Sequence, residues 1–426
     1  MKPYRIALIA ALGAAGASAQ AQDVKLNALV ELWYTQMTDS NLRNNSLAKV
    51  PTTGYYEGMS SGRFQENAFA LKRAEIYLSG KVTDEISWNV MFDPNNSTST
   101  VGNNVLQDAV ITWAPGRGFT VKAGQFKMPT TYEATMVAAK DILFFDRNQL
   151  NRVLGDKRDR GIWASYVYGD AKGFQGKLNL AISNGTSDDG SGGKNNDSNA
   201  QKDWTARFEG AYGPEHKFGA YYRQGVTNLK DSTMVAPTSV QLAAWGSLAP
   251  AAAEIRDNKD KTTLLGVYYA FDNASWHADF EGATGLIGRR FPTVFVGTAT
   301  NTVPTREHLD QKYLGYAFTG AYKMGNHWFL ARYDMLNYNT GDDWYTAYNP
   351  YTESAVGVSR NADYTPKFTE ITLGYNYLFM PTKSSVGKVK LDYIIRSKNF
   401  LTPLTAAGQV GEQGGNSLVA SLMVAF

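Results

Sequence analysis

The stretch Thr369-Glu370-Ile371-Thr372-Leu373-Gly374-Tyr375-Asn376-Tyr377-Leu378-Phe379 sets Ile371, Leu373, Tyr375, Tyr377 and Phe379 on one parity. Glu370, Thr372, Gly374 and Asn376 fill the other. Successive side chains of a β-strand point to opposite faces, so this segment is a strand with one greasy face and one wet face. The same period recurs to either side. In 387–396, Val389, Leu391, Tyr393 and Ile395 alternate with Lys388, Lys390, Asp392 and Arg396, and in 313–324 Leu314, Tyr316, Phe318, Tyr322 and Met324 carry the apolar face.

About sixteen such segments follow one another from 24–36 to 416–426. The connections sort by length. Short ones carry turn chemistry, as in Thr83-Asp84, Gly213-Pro214-Glu215, Asp272-Asn273 and Met324-Gly325-Asn326. Long polar stretches such as 39–66, 127–159, 184–201, 225–261 and 338–366 fall between them. A soluble sandwich has no reason to sort its loops this way. A transmembrane antiparallel up-and-down β-barrel does, with tight periplasmic turns, long extracellular loops and an even number of strands. In lipid every backbone amide needs a partner, and strands satisfy this only by closing.

Composition agrees. Aromatics reach 13%, with 25 Tyr among them, which suits girdles of half-buried rings at two interfaces. With 42 Lys and Arg against 39 Asp and Glu, no basic surface for nucleic acid is expected. Zero cysteines exclude disulfide scaffolds, thiol catalysis and Cys-ligated metal.

Lys2 and Arg5 precede an apolar run from Ile6 to Ala17 and the small-residue triplets Ala17-Ser18-Ala19 and Ala19-Gln20-Ala21. This predicts a cleaved signal peptide over residues 1–21 and an outer-membrane barrel over residues 22–426, with no separate plug domain. At the other end Leu418, Ala420, Leu422, Val424 and the terminal Phe426 share one apolar face. A last strand of this kind resembles the signal read by the barrel assembly machinery.

Enzyme chemistry is not expected. His216 and His327 flank turns, His308 lies in a long stretch, and no hydrolase elbow, phosphate loop or zinc-protease motif is present. His277 shares a wet face with Asp279 and Glu281, which reads as lumen wall before acid–base machinery. No cofactor or metal is expected. Asp188, Asp189 and Asp197 lack the spacing of an EF-hand loop.

The region from Leu106 to Trp163 resembles the phosphate-selective porin O and P family. The resemblance is carried by Leu106-Gln107-Asp108-Ala109, Val121-Lys122-Ala123-Gly124-Gln125-Phe126-Lys127-Met128-Pro129, Phe144-Phe145-Asp146-Arg147 and Arg158-Asp159-Arg160-Gly161-Ile162. Upstream, Leu71 to Gly80 is similar to the family's early strand. The resemblance implies sixteen strands, a homotrimer in outer-membrane lipid, and a third loop folded into the lumen whose basic residues pass small anions and hydrophilic solutes. Here that loop is about Lys127 to Asp159. The implied constriction cations are Lys127, Lys140, Arg147, Arg152, Lys157 and Arg158.

Glu133, Asp141, Asp146, Asp156 and Asp159 in the same loop offset most of that charge. The expected lumen wall is mixed as well: Arg73, Glu75, Lys122, Arg207, Glu209, Arg223, Arg332, Asp334, Lys390 and Arg396, with Asp279, Glu281 and Asp392. Opposite charges two residues apart suit either an ion path or wall salt bridges. The expectation is an outer-membrane porin with a modest preference for anions, phosphate being the candidate that the resemblance names. The alternatives are a weakly selective general diffusion porin and a surface-binding barrel with a closed lumen.

Overall fold

The computed structural model describes residues 24–38, 68–95, 105–185, 201–227, 260–291, 294–298, 301–306, 309–337, 340, 367–383, 386–397, 400–402, 411–413 and 416–426. The expected leader and the loop aspartates Asp188, Asp189 and Asp197 lie outside them.

Sixteen strands form one closed antiparallel barrel. They are β1 (Lys25–Met37), β2 (Ala68–Lys81), β3 (Ile86–Phe92), β4 (Leu106–Gly116), β5 (Phe119–Lys127), β6 (Arg158–Gly169), β7 (Phe174–Ser183) and β8 (Asp203–Tyr212). Then follow β9 (His216–Thr227), β10 (Asp260–Asp272), β11 (Trp276–Phe291), β12 (Leu309–Met324), β13 (His327–Asn337), β14 (Lys367–Leu378), β15 (Gly387–Arg396) and β16 (Ser417–Ala425). The ladder closes between β1 and β16, with Trp33 opposite Ser421, and Ala28 and Phe426 exchange both backbone hydrogen bonds at the seam. Two short hairpins, Val294–Thr298 with Asn301–Arg306 and Phe400–Thr402 with Gly411–Gln413, stand in the long connections.

Strand boundaries follow the alternation to within a few residues except in β11. The pattern predicts an end near 283, yet the ladder continues through Thr284, Gly285, Leu286 and Ile287. Glycine and threonine there blur the alternation without breaking the pairing.

The two faces are chemically opposite. Leu180, Val267, Phe318, Leu373, Leu391 and Leu422 point outward and are exposed, while Glu31, Arg207, Glu281, Arg332, Asp334, Lys390 and Asp392 point inward and are buried. This inverts a soluble barrel and matches one immersed in hydrocarbon. Among the described residues no helix is long and apolar enough to cross a membrane.

Candidate functional site

The third long connection leaves β5 at Lys127 and returns at Arg158. It carries two short helices, α1 (Tyr132–Met136) and α2 (Gln149–Leu154), with a single 3-10 turn at Ala139–Asp141 between them. Asn148 caps α2, its side chain accepting from the Asn151 amide. The loop is as well buried as a core element. Phe144 and Phe145 pack with Trp33, Leu330, Ile394 and Val419, and Tyr132 and Leu150 pack with Tyr221, Leu264 and Tyr268. Tyr132 stacks on Tyr268 at 4.8 Å between ring centroids, and Phe145 meets Trp33 edge-on at 5.2 Å.

Around these apolar anchors the wall grips the loop's backbone. Lys388 and Lys390 donate to the carbonyls of Ile142 and Phe144, each at 2.9 Å, and Asn376 donates to that of Leu143 at 2.8 Å. Arg332 donates to the Asp146 carbonyl at 2.9 Å, and Arg207 to that of Thr130. In the other direction the Phe145 amide donates to Asp392 at 2.6 Å and the Tyr132 amide to Glu281 at 2.5 Å. Side chains add Gln149 to Asp334 at 2.6 Å, Asn151 to Glu281 at 2.5 Å and Arg152 to Glu370 at 2.7 Å. Buried polar groups left unpaired would cost several kcal/mol. Loop and wall supply each other's partners.

The loop therefore lies along the β8–β16 side and leaves an open passage against β1–β5. This cavity, of about 810 Å³, extends from Asn27, Val386 and Phe426 at the short-turn end to Asp93 and Gln107 near the opposite rim. Six basic side chains line it (Lys72, Arg73, Lys127, Lys140, Arg147 and Arg158) against four acidic ones (Glu75, Asp93, Asp108 and Asp156). Most are matched. Lys127 lies 2.5 Å from Asp156, Arg158 lies 2.7 Å from Asp108, and Arg73 pairs with Glu31 and, at 3.4 Å, with Glu75. Lys72 sits 3.4 Å from Asp146 and over the Trp33 ring at 4.4 Å. Lys140 is exposed to the passage.

Two loop carboxyls are perturbed in opposite directions. Burial pushes Glu133 up to about 7, only partly countered by Arg332 at 4.0 Å. Burial also acts on Asp156, but Lys127 and Arg147 beside it outweigh that and hold it well below the usual carboxylate range.

The sequence-derived residues are thus sorted by the path of the loop. Lys127, Lys140, Arg147 and Arg158 line the passage, as do Arg73 and Glu75. Arg152 is corrected from constriction cation to loop anchor, because its guanidinium is turned into Glu370. Lys157 is displaced too, lying with Arg223 in a small crevice on the far side of the loop. Arg207, Arg332, Asp334, Lys390 and Arg396 point inward but are covered by the loop or its anchors, so they do not face the passage. Arg223 is bound to Asp203 at 2.5 Å. Lys122 lies over Trp163 at 4.5 Å, in a separate inward group with Lys177 and Glu209.

Of the pairs two residues apart, Arg73–Glu75, Arg207–Glu209 and Arg332–Asp334 do meet along their strands, at 3.4, 3.2 and 3.1 Å. Lys390 instead reaches Glu31 at 2.8 Å. Glu31 was missed by the sequence reading, since its inward neighbours Leu29 and Trp33 are apolar and hide its parity. Glu370 and Lys388 were legible as inward, and only their contact with the loop's anchors was not. His277 has both ring nitrogens against carboxylates, Asp272 at 3.0 Å and Asp279 at 2.9 Å. Among the described residues no group of three His, Cys, Asp or Glu side chains is placed to hold a metal ion.

A sixteen-strand barrel with a hydrocarbon-facing exterior, a polar interior and a loop narrowing an open passage is an outer-membrane diffusion channel. The chain belongs to the phosphate-selective porin O and P family, whose model matches residues 53–426. The likeness thus extends well beyond the region around Leu106–Trp163, and it places the protein in the bacterial outer membrane. Among curated proteins no sequence matches the chain. Among solved structures it is similar to the trimer form of OmpT of Vibrio cholerae (TM-score 0.53, 12% identity, covering 96% of this chain and 100% of that one). It is also similar to the outer membrane channel DcaP of Acinetobacter baumannii (0.52, 12%, 95% and 97%) and to an anion-selective porin from Comamonas acidovorans (0.50, 11%, 95% and 100%). At these identities the likeness is one of fold.

Proposed function

We propose that this channel passes small hydrophilic solutes with a modest preference for anions. The observation that carries the reading is the surplus of basic side chains along the passage, six against four acidic. A narrow polar wall in a low-dielectric barrel focuses such a surplus on a passing ion. Salt-bridge partners for Lys127, Arg158 and Arg73 argue for modest selectivity, because a paired cation contributes little net field. The constriction in this reading is formed by Lys127, Lys140, Arg147 and Arg158 opposite Arg73, Glu75 and Asp108.

The same reading includes a homotrimer, in line with the trimer form of the Vibrio OmpT. Aliphatic and small side chains on the outward faces of β15, β16 and β1, such as Val389, Leu391, Leu422, Val424 and Val30, would form the contact between copies. It further includes removal of residues 1–21 on export, recognition of the strand ending in Phe426 by the assembly machinery, and transport without catalysis.

The test is the reversal potential of the refolded mature protein in a planar bilayer under a KCl gradient, with and without phosphate. An anion-favouring potential supports the proposal, and block by phosphate would extend it to that ion. A potential near zero at high conductance would make this a general pore. No conductance from a folded barrel would overturn the reading.

A further inference from the structure

Three of the four histidines have described side chains, and two of these face outward in the same way. His216 and His327 are each the first residue of a strand that follows a short turn. The Nδ1 of His216 lies 2.7 Å from the Tyr269 hydroxyl, and the Nδ1 of His327 lies 2.7 Å from the Tyr375 hydroxyl. The register is identical: His216 stands opposite Phe271 and His327 opposite Tyr377, so each bonded tyrosine is two residues along the neighbouring strand. Each imidazole also packs on the ring it stands opposite, at 5.2 Å for Phe271 and 5.4 Å for Tyr377. His277 differs, for it points inward and both its nitrogens meet carboxylates.

The pairs sit in a band of outward rings at the short-turn, periplasmic end, with Trp276 and Tyr322 in tilted contact between them at 4.7 Å. That height is where hydrocarbon meets headgroups. Where the tyrosine hydroxyl donates to Nδ1, the imidazole proton is kept on Nε2. Among the described residues neither Nε2 has a hydrogen-bond partner. In that tautomer each site presents an oriented N–H donor in an aromatic frame, its apolar side toward acyl chains. β9 lies directly across the sixteen-strand barrel from β1, so a contact between copies centred on the β16–β1 seam does not cover the first pair.

We propose that His216–Tyr269 and His327–Tyr375 are two phospholipid sites in the periplasmic leaflet, each donating from His Nε2 to a phosphodiester oxygen of one headgroup. The tyrosines are positioning residues that fix the tautomer and the ring's direction. A donor bonded to an anionic oxygen at a partly dry interface is the stronger kind of hydrogen bond, and its loss should weaken retention about tenfold.

The experiment is native mass spectrometry of the detergent-purified, folded protein titrated with dioleoylphosphatidylglycerol, with dioleoylglycerol as the phosphate-free control. Wild type should retain two more phosphatidylglycerol molecules per chain than the double variant His216→Phe/His327→Phe, and each single variant should lose one. Tyr269→Phe and Tyr375→Phe keep the ring but release the imidazole, and should weaken retention several-fold with unchanged heat-modifiable gel mobility. Three results would overturn the proposal. One is equal retention by wild type and the double variant. Another is an equal difference with dioleoylglycerol, which would make these aromatic contacts to acyl chains. The third is dissociation of the oligomer in the variants, which would make them contacts between copies.

Discussion

The ammonium of Lys390 donates to the carbonyl oxygen of Phe144 at 2.9 Å, tying the barrel wall to the middle of the third loop. The same nitrogen lies 2.8 Å from Glu31 Oε1, and the Ser421 hydroxyl donates to that same oxygen at 2.9 Å, while Arg73 holds Oε2. A wall cation that would attract ions in an empty lumen instead holds the element that shapes the lumen. Lys390→Gln strands part of a buried ion network, a change that costs about 3 kcal/mol where both partners are dry. The expected result is a lower melting temperature of the refolded barrel and noisier single-channel currents, because the loop keeps its aromatic anchors but loses its central tie. A variant with wild-type melting and quiet currents would show that this contact does not restrain the loop.

Lys140 and Arg152, both basic and twelve residues apart in one loop, should behave oppositely. Lys140 is exposed to the passage, whereas Arg152 is spent on Glu370. Lys140→Glu places a reversed charge beside permeating ions, and the anion-to-cation permeability ratio should fall by roughly two- to fivefold at low salt, less at high salt. Arg152→Gln should leave the ratio unchanged and lower thermal stability, since among the described residues Glu370 then keeps Arg396, at 2.7 Å, as its one ion-pair partner. Reversal potentials at two salt concentrations separate the variants. A selectivity shift in Arg152→Gln would mean that the passage lies elsewhere.

This contrast marks how far the sequence could be read. Each strand is solvated by lipid on one face and water or polar side chains on the other, so a two-residue period is imposed locally and survives in the sequence of β14 or β15. Inwardness was therefore legible for Arg332, Lys390 and Arg396. Their depth was not. It depends on where the third loop runs, and that path is set by Phe144, Phe145, Tyr132 and Leu150 docking into separate apolar patches. Helices of 5 and 6 residues are too short to show an amphipathic repeat, so nothing periodic announces those contacts.

Glu133 gives the packed loop a pH dependence. Its carboxyl accepts from the Asn148 amide at 2.8 Å, and burial raises its pKa to about 7 from an ordinary 4.5. The packed state thus binds a proton more tightly than a released loop does. Its contribution is fully present below about 4.5 and is lost as pH rises through about 7. Between pH 5 and pH 8 wild type should lose melting temperature relative to Glu133→Gln, whose amide can accept the same hydrogen bond and does not titrate. Parallel pH profiles for the two proteins would show that Glu133 is not the group responsible.

Gly124 lies in the Val121–Pro129 stretch that carries the family resemblance, and its backbone explains why a glycine stands there. Its φ is +132°, a region that side-chain-bearing residues rarely adopt. A Cβ at this position would come within 2.0 Å of the Ala109 carbonyl oxygen on β4. The opposed residue on β6 is Gly161, where a Cβ would meet the Ile182 carbonyl at 2.0 Å, so neither neighbouring strand can yield without parting from the next. Three strands approach one another at the root of the third loop, three residues before Lys127. Gly124→Ala should therefore cost more than the usual ~1 kcal/mol of a glycine replacement and drain the refolding yield. Any variant that does fold should show altered conductance, because displacing β5 from β4 moves Lys127 relative to Asp156. Wild-type yield and conductance in Gly124→Ala would mean that the ladder at Ala109 relaxes freely, and the close approach would then not be what requires glycine.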